Sequence, residues 1–126
     1  MNILDDAINI IKVHESIGRE ECVISSTKLV KAVLEVMKKN NYISDYEEFK
    51  DNKIPKIRVK LSKSINKIGV VKPRFPVGVN DYSRYETRYI PSKDFGILIV
   101  STPQGIMTNK EAKEKHLGGR LLVYVY

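Results

Sequence analysis

The run Phe95-Gly-Ile-Leu-Ile-Val100 and the segment after it, Ser101-Thr-Pro-Gln-Gly-Ile-Met-Thr108, constrain this chain more than any other stretch. Unbroken apolar residues bounded by turn signals predict a strand buried on both faces. Thr108-Asn-Lys-Glu111 has the spacing of a capping box and predicts a short helix directly after the joint. Two hydroxyls, an amide and a glycine are thereby expected at the end of a rigid strand, next to a helix N-terminus. Side chains and backbone N–H groups placed there can converge on phosphate or ribose oxygens. An ordinary strand–turn–helix joint is the plain alternative on these residues alone.

The charge distribution favours the anion reading. The 126 residues carry a net charge of +7, and the excess is concentrated. Residues 1–52 hold 7 Lys/Arg against 10 Asp/Glu, whereas residues 53–93 hold 11 Lys/Arg against only Asp81 and Glu86. A solvated lysine face usually has carboxylates interspersed, so this segment reads as a contact surface for a polyanion. No stretch is long and apolar enough to span a bilayer, and Met1-Asn-Ile-Leu-Asp-Asp6 lacks the basic region of a secretory signal. The lone Cys22 cannot form an internal disulfide, fits a reducing compartment and is expected in the core.

Periodicity predicts an α+β chain of two small lobes, residues 1–62 and 63–126. Leu4, Ala7, Ile8 and Ile11 form one helical stripe, and Gly18 ends it. Glu21–Ser25 reads as a strand. Ser26 or Thr27 caps a second helix that buries Val30, Val33, Leu34 and Met37, and Asn40-Asn41 stops it. Tyr42–Phe49 and Ile54–Leu61 read as strands joined by a turn at Lys50–Lys53. In the second, Ile57, Val59 and Leu61 alternate with Lys56, Arg58 and Lys60, giving one apolar and one cationic face. The first lobe is therefore α-β-α-β-β.

In the second lobe, Ile65–Val71 is a short extended piece, and the prolines of Lys72-Pro-Arg-Phe-Pro76 exclude a helix. Gly78–Ser83 reads as a loop and Tyr85–Ile90 as a strand. Pro91 and Gly96 flank a tight turn before the apolar run. A short helix, Gly118-Gly119 and a last strand at Leu121–Tyr126 complete a lobe that is mostly β with one small helix.

Enzyme chemistry has no support in the residues. His14 and His116 stand far apart, with no Cys or carboxylate at metal-ligand spacing. No Walker, dinucleotide or hydrolase-elbow motif occurs. The acidic group Asp45, Glu47, Glu48 and Asp51 reads as a solvated turn rather than a magnesium site. No catalytic residue, metal or cofactor is expected.

Pro91 to Thr108, followed by Glu111-Ala112, Gly118-Gly119 and a terminal Tyr-Val-Tyr126, closely resembles the small-subunit ribosomal protein eight family. The resemblance covers essentially the whole chain and includes Thr27-Lys28-Leu29 at the second helix. Lys72-Pro-Arg-Phe-Pro76 and Arg120 resemble the archaeal and eukaryotic branch. It implies two α/β lobes, no enzyme activity, and binding to a helical region in the central domain of small-subunit rRNA early in assembly. It also implies neighbouring small-subunit proteins as partners, a cytoplasmic ribosomal location, and a monomer outside the ribosome. Carried over, the resemblance implicates Ser101, Thr102, Gln104 and Gly105 in the main RNA contacts and Thr27 and Lys28 in lesser ones. Lys72, Arg74, Gly118 and Gly119 complete the expected RNA-binding set, beside Lys56, Arg58 and Lys60. Two positions depart from the family's pattern. Pro103 stands where a third hydroxyl residue is common, which removes a hydroxyl and an N–H. Asp5-Asp6 stands in place of Asp-Pro.

These expectations agree with elementary recognition physics. A-form RNA presents a wide, shallow minor groove lined with 2′-hydroxyls, which a hydroxyl-rich loop can donate to and accept from. Two other readings compete. One is a repressor that binds its own messenger RNA through the same loop. The other is a nucleotide-handling enzyme with the loop as phosphate cradle, which the absence of a glycine-rich Lys motif disfavours.

Overall fold

The computed structural model describes residues 3–92 and 94–126, so the expectations at Met1, Asn2 and Lys93 fall outside it. It is an α+β fold of two compact units, Met1–Ile65 and Asn66–Tyr126.

In the first unit, α1 (Ile3–Ser16) buries Leu4, Ala7, Ile8 and Ile11, the stripe expected from a 3.6-residue period. α2 (Lys28–Lys39) starts at Thr27, whose hydroxyl accepts a hydrogen bond from the Val30 N–H at 3.1 Å. It buries Val30, Val33, Leu34, Val36 and Met37, and ends at Asn40 and Asn41, the latter at φ 65°. Three antiparallel strands, β1 (Glu21–Ser25), β2 (Ile43–Asp51) and β3 (Ile54–Leu61), run in the order β1-β3-β2. The β2–β3 connection is the two-residue turn Asn52-Lys53, both left-handed, which suits the twist of a tight hairpin. Ile57 and Val59 of the central strand are fully buried. Cys22 is buried in β1, and burial, reinforced by the charges of Glu15 and Glu21, pushes its thiol up to about 11. It is a core residue that stays protonated and unreactive at neutral pH.

The second unit holds β4 (Ile68–Val70), β5 (Pro76–Val77), α3 (Tyr82–Tyr89), β6 (Ile97–Thr102), β7 (Gly105–Thr108), α4 (Asn109–Glu114) and β8 (Gly119–Val125). The strands form an antiparallel sheet in the order β4-β8-β6-β7, with β5 also paired to β8. Several expectations are corrected. Residues 85–89 are not a strand but the larger part of α3, which also takes Tyr82 and Ser83 from the expected loop, so among the described residues this unit holds two helices, α3 and α4, and not one. Tyr85, Thr87 and Tyr89 alternate, yet the dominant period is that of Tyr82, Tyr85, Glu86 and Tyr89, which puts one side of a helix on the core. The joint 101–108 is not strand–turn–helix either. Gly105–Thr108 is itself a strand, too short for a periodic signal, and the helix begins only at Asn109.

The buried Glu86 locks these pieces together. Its Oε2 accepts from Nδ2 of Asn109 and from Nζ of Lys113, the latter at 2.6 Å, while Oδ1 of Asn109 accepts from the Leu98 N–H at 3.1 Å. α3, α4 and β6 thus share one satisfied polar network inside an apolar cluster that includes Tyr82, Leu98, Val100, Ala112 and Leu121. Among the described residues, no helix is long and apolar enough to cross a membrane.

Candidate nucleic-acid interface

The tip of the β6–β7 hairpin is Thr102-Pro103-Gln104-Gly105. Pro103 suits the first corner of a two-residue turn, where φ near −65° is required. Gly105 has φ +118°, a conformation side chains rarely adopt. No atom lies within 4 Å of the place where a Cβ would sit at this glycine. Its freedom therefore serves the turn, and the space beside it is open to an approaching ligand.

The two hydroxyls differ in role. Thr102 is buried; its hydroxyl donates to the Gly105 carbonyl at 2.8 Å and accepts from the Gln104 N–H at 3.2 Å. It shapes the turn. Ser101 is half-buried, and among the described residues its hydroxyl has no hydrogen-bond partner. Pro103, Gln104 and Gly105 are exposed. Thr108 belongs elsewhere: its hydroxyl accepts from the Glu111 N–H at 3.2 Å and caps α4.

The sheet brings further residues beside the hairpin. Ser101 pairs in register with Arg120 of β8, and Arg120 is followed across the sheet by Pro76. The guanidinium of Arg120 donates from Nη1 to the Arg74 carbonyl at 3.3 Å. Ser101, Arg120 and the main chain of Arg74 therefore form one neighbourhood, with Lys72 exposed nearby in sequence. Sequence reasoning used Arg120 only as a branch marker. Its pairing with Ser101 depends on strand register, which no local signal carries.

Gly118 and Gly119 answer to packing. A Cβ on Gly118 would stand 2.6 Å from the Val77 carbonyl oxygen, and one on Gly119 would stand 2.1 Å from the Ser101 carbonyl oxygen. These glycines let β8 pass closely between β5 and the hairpin.

In the first unit, Thr27 is occupied as a helix cap, and Lys28 is exposed in the first turn of α2. Lys56, Arg58 and Lys60 do share one face of β3, but that face is charge-balanced. Arg58 donates from Nη1 to Glu47 at 2.8 Å and lies 3.9 Å from Glu21, and Lys56 meets Asp51 at 3.3 Å. Lys60 stands in register between Glu21 and Asp45. The segregation of charge along the sequence is undone by strand pairing. Two acidic residues of β2 also meet lysines of α2. Lys31 lies 3.3 Å from Glu48 and Lys38 lies 3.1 Å from Asp45. The Ser26 hydroxyl and Lys31 hold Glu48 below the usual carboxylate range; the Tyr46 N–H and Lys38 do the same for Asp45. Among the described residues, no group of His, Cys, Asp or Glu is arranged to hold a metal ion.

Comparison with known sequences agrees with this architecture. The family described as Ribosomal protein S8 matches residues 2–126. A protein of the archaeon Methanococcoides burtonii, named small ribosomal subunit protein uS8, is 44% identical over 124 residues, covering 98% of this chain and 95% of that one.

Proposed function

The chain belongs to the ribosomal protein S8 family, and from that membership we propose that it works as a structural RNA-binding protein of the small ribosomal subunit. The family is one of ribosomal structural proteins, not of enzymes. The ribosome of the cytoplasm is then its place, with small-subunit rRNA and neighbouring small-subunit proteins as its partners. Its target is a helical region of the central domain, gripped through the β6–β7 hairpin early in assembly.

One observation carries this reading. At the hairpin tip an uncommitted Ser101 hydroxyl stands near an exposed glycine with open space around it, on a strand end fixed by a buried sheet. Such a tip can enter a shallow minor groove and contact 2′-hydroxyls and phosphates without reading base edges. Gln104 and the backbone of Gly105 supply further polar groups, and Arg120 supplies charge beside them. Lys28 and Lys72 add phosphate contacts. The β3 cations take a smaller share, because carboxylates already neutralise them.

The test is chemical footprinting of small-subunit rRNA with the purified chain, followed by two substitutions. Ser101→Ala should weaken RNA binding by about 1–2 kcal/mol, the cost of removing a hydrogen bond to a charged or buried partner, and leave the melting temperature unchanged. Thr102→Val should lower both, because it removes the hydroxyl that ties Gln104 to Gly105. Equal affinity for wild type and Ser101→Ala would remove the hairpin from the interface.

A further inference from the structure

The exposed side of α3 presents a second cationic surface. Arg84 and Arg88 lie one helical turn apart and are both exposed, beside the exposed hydroxyl residues Ser83 and Thr87. Each guanidinium sits on aromatic rings. Arg84 is 5.1 Å from the centre of Tyr85, and Arg88 is 5.4 Å from Phe75 and 5.5 Å from Tyr89. The rings are themselves anchored: Phe75 packs on Tyr85 and Tyr89 stacks on Tyr124.

Among the described residues, neither arginine has a carboxylate within ion-pair distance. The nearby acids are committed elsewhere, Asp81 to the Gly78 N–H at 3.3 Å and Glu86 to the buried network with Asn109 and Lys113. Like charges four residues apart on a helix repel by a few tenths of a kcal/mol, and no intramolecular partner relieves it here. The contrast with β3 is plain, where Lys56 and Arg58 each meet a carboxylate across the sheet.

This surface is separate from the hairpin's. Val100 and Leu121 are paired neighbours whose side chains belong to the cluster under α3. Side chains alternate along a strand, so Ser101 and Arg120, one residue further on, face the other side of the sheet.

We propose that Arg84 and Arg88 form a second phosphate-binding surface, with which the C-terminal unit holds another segment of RNA backbone while its hairpin holds the first. The inference rests on the proposed RNA-binding role and gives the unit a bridging task within it. Planar guanidinium groups stacked on rings are weakly hydrated and held in place, which suits bidentate contact with phosphate. Two cations spaced one turn apart on a convex helix suit contact with backbone phosphates, which position a protein on RNA without carrying sequence information.

The experiment compares two transcripts, a short helix carrying only the hairpin's site and the whole central domain of small-subunit rRNA. The chain with Arg84→Gln and Arg88→Gln should bind the short helix within about twofold of wild type and melt at the same temperature. On the central domain it should bind about tenfold more weakly at 0.15 M salt. Its slope of log K against log salt should fall by about 1.4–1.8, because two phosphates are no longer neutralised. Backbone protection from hydroxyl radicals should vanish at a segment away from the hairpin's site. Arg84→Lys with Arg88→Lys should retain the slope. Unchanged slope and protection in the Gln variant would overturn the proposal. So would an effect confined to co-assembly with other small-subunit proteins, which would make the occupant an acidic protein surface. Failure of wild type to bind the short helix would instead overturn the hairpin reading itself.

Discussion

Removal of Val123–Tyr126 will unfold the C-terminal unit and abolish RNA binding through the hairpin, although none of these four residues belongs to the hairpin. β8 lies inside the sheet, with β4 on one side and β6 on the other. Val123 pairs with Val70 and Ile99, Tyr124 with Gly69 and Leu98, and Val125 with Ile68 and Ile97. The last residue is also tied down. The Tyr126 N–H donates to the Lys67 carbonyl at 2.9 Å, and its own carbonyl accepts from Lys67 at 2.8 Å and from Asn66 at 2.6 Å. Val123 and Val125 are fully buried. Each buried valine contributes about 1.5–3 kcal/mol, and the ladder hydrogen bonds on both edges add to that. The sum approaches the roughly 5–15 kcal/mol that holds a whole domain together. Amide hydrogen exchange in the intact chain checks the premise: Val123 and Val125 should be among the slowest amides. Fast exchange there would mean a frayed tail and would end the argument. In the truncated chain, exchange should become fast throughout Asn66–Leu122 and remain slow in β3.

Most elements of this fold were legible in the sequence where one period dominated. α1 and α2 carry strong 3.6-residue stripes ended by Gly18 and Asn40-Asn41, and β6 is an unbroken apolar run. The failures have physical causes. Tyr82, Tyr85, Glu86 and Tyr89 mix aromatic strand formers with a buried carboxylate, and a residue's burial beside Asn109 and Lys113 has no local signature. β7 spans four residues between a turn and a cap, too few to show alternation. The site was legible in part. The hairpin tip stood out by composition. The division of labour between Ser101 and Thr102 did not, because it depends on which face of β6 each side chain occupies. Nor did the neutralisation of Lys56 and Arg58, whose partners Asp51, Glu47 and Glu21 arrive by strand pairing.

Gly119→Ala should harm RNA binding more than Ser101→Ala and also lower stability, whereas Gly105→Ala should act differently. A Cβ at position 119 would stand 2.1 Å from the Ser101 carbonyl oxygen and 2.9 Å from its carbon. Both are backbone atoms inside a ladder, so no side chain can swing away. Real Cβ atoms essentially never approach within 3.0 Å, so β8 and β6 must separate by about an ångström at Ser101. Such overpacking costs about 1–3 kcal/mol, a fall of several degrees in the melting temperature of a unit this size. The displaced residue is the one whose hydroxyl and backbone begin the hairpin tip, so affinity should drop at least about tenfold, the equivalent of about 1.4 kcal/mol. At Gly105 nothing surrounds the missing Cβ, and the φ of +118° is the only internal penalty. Its alanine variant should lose stability through torsional strain, and lose affinity only to the extent that RNA occupies the open space beside the turn. Melting curves and RNA titrations on both variants separate the two. Wild-type stability in Gly119→Ala would show that the strands part at no cost, and the packing role of this glycine would give way to direct contact with RNA.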